Sequence, residues 1–119
     1  MRGSHSFRPH ERLRTSGDYL RVKKAGKRVK TRHFVVNFVA NDLSHHRLGM
    51  VVQKRYYDSV RRNRIKRCLR EWFRIHKGEI PPPGKDIVII ARAGAQHLSS
   101  DDVVLQLRQI FSYVDGRNL

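Results

Sequence analysis

Arg62, Asn63, Arg64, Lys66, Arg67, Arg70 and Arg74 crowd into one stretch of the chain, with Glu71 the single acid among them. Side chains that stay charged at neutral pH are poor proton shuttles but good phosphate ligands, and arginine presents a fork of N–H donors to an oxyanion. Placed on a helix, Arg62, Lys66, Arg70 and Arg74 become successive i,i+4 neighbours. Such like-charge pairs repel by a few tenths of a kcal/mol each. A solvated surface helix mixes its signs, whereas this pattern calls for a polyanion to relieve the repulsion.

Other chemistry is hard to assemble. The seven histidines, at positions 5, 10, 33, 45, 46, 76 and 97, form no zinc-ligand spacing with the single Cys68. Asp101 and Asp102 read as helix-start charges rather than as an acid–base pair. Gly84 and Gly94 make no phosphate-binding loop. No catalytic residue is assigned and no metal ligand; if the chain takes part in a reaction, something else performs the chemistry. Two aromatics near basic groups, Tyr19 and Phe34, are candidates to line a groove in which single-stranded bases stack, at about 1–3 kcal/mol per base. The pattern fits Phe34 equally well as core. Lys54 and Arg55 would offer phosphate contacts beside such a groove.

Charge over the whole chain points the same way. Lys and Arg number 26 against 10 Asp and Glu in 119 residues, a formal charge of +16. That balance attracts nucleic acid or an anionic membrane surface. One cysteine excludes an internal disulfide and fits a reducing compartment. No apolar run reaches the 18 or so residues of a membrane span and no signal-peptide core opens the chain, so the expected location is the cytosol.

The elements that must position these groups follow in order. Residues 1–12 read as a flexible basic arm, and residues 13–119 as one domain. Thr15 or Ser16 caps a short helix supported by Tyr19, Leu20 and Val22 and closed by Gly26. Residues 27–31 suit a first strand and 33–40 a second, with Phe34, Val36 and Phe38 on one face and Val35, Asn37 and Val39 on the other. A polar turn at 41–46 leads to residues 48–53, expected as the returning antiparallel strand. The basic helix then starts at Asp58 or Ser59, buries Ile65, Cys68, Leu69, Trp72 and Phe73, and ends at Gly78 in the position of a C′ glycine. Residues 79–85 carry three prolines and are expected as loop. Residues 86–91 are apolar on both faces, the mark of a covered strand. Ser99 caps a last helix whose stripe includes Val103, Leu107, Ile110, Phe111 and Val114. Helix, two or three strands, helix, strand, helix: the economical burial of such a set is a two-layer α+β sandwich.

The run VRRNRIKRCLRE, Val60–Glu71, resembles the RNR motif of the bacterial ribonuclease P protein family. The resemblance extends over roughly residues 7–114. It takes in Arg12-Leu13, Gly26, Phe34-Val35, Arg47-Leu48-Gly49, Lys54 and the block 86–92 in family order. It implies helix-strand-strand-strand-helix-strand-helix order and a mixed sheet with a left-handed crossover around the motif helix, against the usual hand. It also implies a small partner of a large catalytic RNA, which removes the 5′ leader of precursor tRNA by magnesium-dependent hydrolysis, the Mg2+ held mainly by RNA. Arg62, Asn63, Arg64, Lys66, Arg67 and Arg70 would face that RNA, and Tyr19, Phe34, Val36, Lys54 and Arg55 would lie in or beside the leader groove. Lys23, Asn37, Val51 and Gln53 depart from the family pattern, which implies a thinner aromatic floor. Neither a membrane nor an obligate protein partner is expected. The other readings are a general structured-RNA-binding protein, such as a ribosomal protein, and a membrane-surface protein built on the basic amphipathic helix.

Overall fold

The computed structural model describes residues 8–114, the last three by backbone alone. Three helices and four strands follow one another as α1 (Ser16–Ala25), β1 (Lys27–Lys30), β2 (Phe34–Ala40), β3 (Arg47–Val51), α2 (Ser59–His76), β4 (Lys85–Ala91) and α3 (Ser100–Val114). Short 3-10 turns fill Pro9–Glu11, Lys77–Glu79 and Ala95–His97.

Local chemistry accounts for the boundaries. Thr15 caps α1 by accepting the Asp18 N–H at 3.1 Å, and Asp58 caps α2 by accepting that of Arg61 at 2.9 Å. Ser99 and Asp102 close a reciprocal capping box at the start of α3. Gly26 ends α1 for want of space: a Cβ there would lie 2.5 Å from the Val22 carbonyl oxygen and 2.6 Å from that of Phe38. Gly78 is not the left-handed cap expected of it. The chain leaves α2 through Lys77 at φ −60° and ψ −27° and tightens directly into the Lys77–Glu79 turn.

The sheet order is β1-β2-β4-β3, with β1/β2 and β2/β4 antiparallel and β3/β4 parallel. The residues after the 41–46 turn do run back, but they do not pair with β2 as a hairpin would. β4 comes between them. Its residues are apolar on both faces, and a strand with two greasy faces is best buried in the middle of a sheet, where both are covered. The crossover from β3 to its parallel neighbour β4 runs through α2, so the basic helix is held at both ends by the sheet it packs on.

One sheet face, with Phe34, Val36, Phe38, Leu48, Ile87 and Ile89, packs against Ile65, Leu69, Trp72 and Phe73 of α2 and Leu107, Ile110 and Phe111 of α3. Each fully buried side chain of this size contributes about 1.5–3 kcal/mol. Trp72 stacks on Phe111 with ring centroids 5.7 Å apart. The opposite face is covered by α1, where Val22 meets Leu13 and Val88, with Tyr19, Val39, Val51 and Ile90 around them. Leu20, expected among the packed residues of α1, is instead 50% exposed. It falls off the stripe that Tyr19 and Val22 define.

Of the segment read as a flexible arm, residues 8–12 are tied down, and residues 1–7 lie outside the described residues. Glu11 is buried, accepts the Arg8 N–H at 2.7 Å and meets Lys77 Nζ at 2.5 Å. Arg12 bridges to Leu48 alongside β3.

Candidate nucleic-acid interface

The α2 stripe of Ile65, Leu69, Trp72 and Phe73 fixes which way the cations point. With those residues buried against the sheet and α3, a helical period of 3.6 carries Asn63, Arg67 and Arg70 to the solvent side, with Lys66 beside them. Arg62 and Arg64 stand on opposite flanks of the stripe and do a second job. Arg62 Nη1 donates to the Tyr57 carbonyl at 3.1 Å, just ahead of the helix. Arg64 donates through Nη1 to the Gln96 carbonyl at 2.9 Å and through Nη2 to that of Leu98 at 3.2 Å. Arg64 thereby latches α2 to the turn that launches α3. Arg74 is paired with Glu71 at 2.8 Å. Among the described residues Lys66, Arg67 and Arg70 make no ion pair or side-chain hydrogen bond, so their donors are open to a ligand.

The second feature lies where β4 ends. Ile90, Ala91, Arg92 and Ala93, with Arg32, Gln53, Arg55 and Tyr56, line an open groove of about 410 Å³. Tyr56 is 47% exposed, and the Arg55 guanidinium sits 4.9 Å over its ring while donating to its hydroxyl at 3.0 Å. The next ring, Tyr57, is buried and donates its hydroxyl to the Arg92 carbonyl, which fixes the groove wall. Arg92 Nη1 donates to the Thr31 carbonyl at 3.1 Å. Exposed Lys54 stands next to Arg55 in the chain. None of Arg32, Lys54, Arg55 and Arg92 pairs with an acid among the described residues. A ring with a guanidinium over it, rimmed by cations, suits a base stacked between phosphates.

Tyr19 belongs to the same side of the sheet as Ile90. Its hydroxyl accepts the Met50 N–H at 3.1 Å, and its ring lies over Gly49. Phe34 and Val36 do not join it. Both are completely buried on the other face, in the core beneath α2 and α3. Side chains alternate along a strand, and the bulky Phe34 and Phe38 go to the side that two helices cover. The α1 side of β2 carries Val35, Asn37 and Val39 instead. Of the groove residues expected from sequence, Arg55 lines this groove, Lys54 stands exposed beside Arg55, Tyr19 is half-buried on the Ile90 side of the sheet, and Phe34 and Val36 belong to the core instead. The groove also takes in Arg32, Tyr56, Ile90 and Arg92, which the sequence pattern does not single out. The available signal was register: Ile90 pairs with Val35, and Arg32 and Arg92 lie just past the ends of neighbouring strands.

A buried carboxylate holds α1 over this surface. Asp86, with no exposure, accepts from Arg47 Nε at 2.8 Å and Arg47 Nη2 at 2.7 Å, from Asn41 at 2.9 Å, and from Arg21 of α1. Burial by itself would raise the Asp86 carboxyl, but the bonds from Arg47 and Asn41 and the charges of Arg47 and Arg21 prevail and lower it. Asp86 thus offsets one of these two guanidinium charges, and Asp18, 4.0 Å from Arg47, lies near the other. Among the described residues no three His, Cys, Asp or Glu side chains gather as a metal site would require, and no helix is long and apolar enough to cross a membrane.

A mixed α+β fold with a cationic helix and an aromatic, arginine-rimmed groove defines a nucleic-acid-binding protein. Comparison with known proteins narrows the class. Residues 7–115 match the family model described as Ribonuclease P. The chain is 64% identical over 117 residues to the ribonuclease P protein component of Syntrophobacter fumaroxidans, covering 98% of each. It superposes on the RNase P protein of Thermotoga maritima with a TM-score of 0.79 at 36% identity, over 89% of this chain and 99% of that one. The Staphylococcus aureus RNase P protein gives 0.78 at 35%, over 87% and 94%. The chain belongs to the ribonuclease P protein family. That protein is a subunit of the tRNA-processing ribonuclease P holoenzyme, and the ribosomal-protein alternative is not favoured.

Proposed function

We propose that the exposed face of α2 docks on the catalytic RNA of ribonuclease P while the groove at the end of β4 holds the 5′ leader of precursor tRNA. One observation carries this reading. Arg55 and Tyr56 of the groove lead into the Asp58 cap of α2 after a single buried tyrosine, so the two surfaces adjoin. A leader in the groove would pass directly to RNA bound on Asn63, Lys66, Arg67 and Arg70. Arg62 and Arg64 retain further N–H donors beyond those they spend on carbonyls, and Tyr19 and Lys54 would border the leader. Magnesium would be held mainly by the RNA and the substrate. The chain would work in the cytosol with catalytic RNA and precursor tRNA as partners, needing neither a membrane nor a further protein.

The deciding experiment is multiple-turnover cleavage of precursor tRNA by a bacterial ribonuclease P RNA at low magnesium, with the protein, without it, and with protein alone. Stimulation that needs both components is the expected result. No stimulation with any cognate-type RNA would overturn the assignment. Neutralising about six to eight phosphates also requires the logarithm of affinity to fall against that of salt with a slope of roughly −4 to −7.

A further inference from the structure

We infer a second single-stranded RNA subsite on the outer edge of β1, continuous with the groove and taking leader nucleotides farther from the tRNA. The inference rests on the leader reading of the groove given above. Val29, Lys30, Thr31, Arg32, Gln106 and Ile110 line a separate open groove of about 390 Å³ between the β1 edge and α3. Arg32 lines both grooves. The sheet register gives a second link. Lys30 pairs with Val35, which pairs with Ile90, so Lys30 lies on the same cross-sheet row as the floor of the first groove.

Among the described residues β1 is an edge strand paired with β2 alone, so the N–H and C=O groups along its other side are unclaimed by any described strand. Those groups offer donors and acceptors to base edges. Lys27, Arg28, Lys30 and Arg32 supply the charge. All four are exposed, and none pairs with an acid among the described residues. Acids do pair elsewhere: Asp58 with Arg61, Glu71 with Arg74, Asp86 with Arg21 and Arg47. A single strand leaving the first groove past Arg32 would find an unneutralised cationic track rather than a protein-paired one. Stacking and backbone contacts with little sequence preference are the expected mode.

The test uses the holoenzyme and precursor tRNAs whose leaders lengthen one nucleotide at a time. In the wild type, affinity should rise with leader length to a plateau. An Arg28→Gln/Lys30→Gln protein should bind short leaders normally, reach its plateau at a shorter length, and bind long leaders roughly tenfold more weakly at physiological salt. Its salt slope for long leaders should be shallower by about 1.4, since each single-strand phosphate contact contributes about 0.7. An equal loss at every leader length would overturn the subsite. No loss at all would also overturn it, leaving these cations as guards against edge-to-edge strand pairing. A wild type that gains nothing even from the first leader nucleotides would mark a different failure, that of the groove reading itself.

Discussion

The ring of Tyr19 occupies the space that a side chain at Gly49 would need: a Cβ placed there comes within 2.8 Å of the ring and its hydroxyl. The glycine is required by close approach, and it lets α1 settle on β3 with the Tyr19 hydroxyl accepting the Met50 N–H. Gly49→Ala should cost about 1–3 kcal/mol by overpacking and lift the Tyr19 edge of α1. Tyr19→Phe keeps the ring and loses one hydrogen bond, about 1 kcal/mol. Urea unfolding separates the two. Discrimination between leadered and leaderless tRNA should fall further in the alanine variant.

The Asp86 clasp makes stability depend on pH. The Asp86 carboxyl is held below its ordinary range, so the unfolded chain takes up the proton first on acidification. The clasp is therefore at full strength above the usual carboxylate range and is lost as pH falls through the native value. Asp86→Asn should cost about 2–3 kcal/mol at pH 7. That is less than for a sealed pair, because Arg21 is 42% and Arg47 24% exposed and both can turn to water. Chemical unfolding between pH 7 and pH 3 should show the variant's curve flatter than the wild type's.

His46 acts at a higher pH. Its Nε2 meets the Ile80 carbonyl at 3.1 Å and its Nδ1 accepts the Lys85 N–H at 3.0 Å, which requires the neutral ring protonated on Nε2. Burial depresses its pKa, partly offset by the Ile80 bond, with the Lys85 and His45 charges adding to the depression. The native state resists a proton that the unfolded chain accepts near 6.5, so stability falls as pH drops below that value. His46→Gln should remove this part of the pH dependence. Thermal unfolding at pH 7.5 and pH 5.5 reads it directly.

On α2 the arginines should separate by salt dependence. Arg67→Gln and Arg70→Gln each remove a cation that has no partner among the described residues. Each should make the slope for binding the catalytic RNA shallower by about 0.9, without changing the melting temperature. Arg64→Gln should behave differently, because it releases the Gln96 and Leu98 carbonyls. Faster hydrogen exchange in the first turns of α3 would be its signature. An Arg64 variant with unaltered exchange would show that the latch does not hold the helix.

Most of the architecture follows from short-range patterns. The stripe Ile65, Leu69, Trp72, Phe73 determines that α2 forms and which face it buries, and the concentration of unpaired cations opposite it points to a polyanion before any coordinates are known. Thr15, Asp58 and Ser99 announce three helix starts because capping is chemistry between residues three apart. Local pattern cannot rank the strands. Residues 48–53 carry the pattern of a second hairpin arm beside β2, and only the competition among faces, won by a β4 greasy on both sides, places β4 between them. Nor can alternation say which face of β2 meets which helix. Phe34 and Val36 share a face in any register, and the tertiary structure decided that this face lies under α2 and α3, leaving the groove to Ile90, Tyr56, Arg32 and Arg92. Those four come from three separate segments, and burial of a common core, acting over long separations in sequence, is what brings them together.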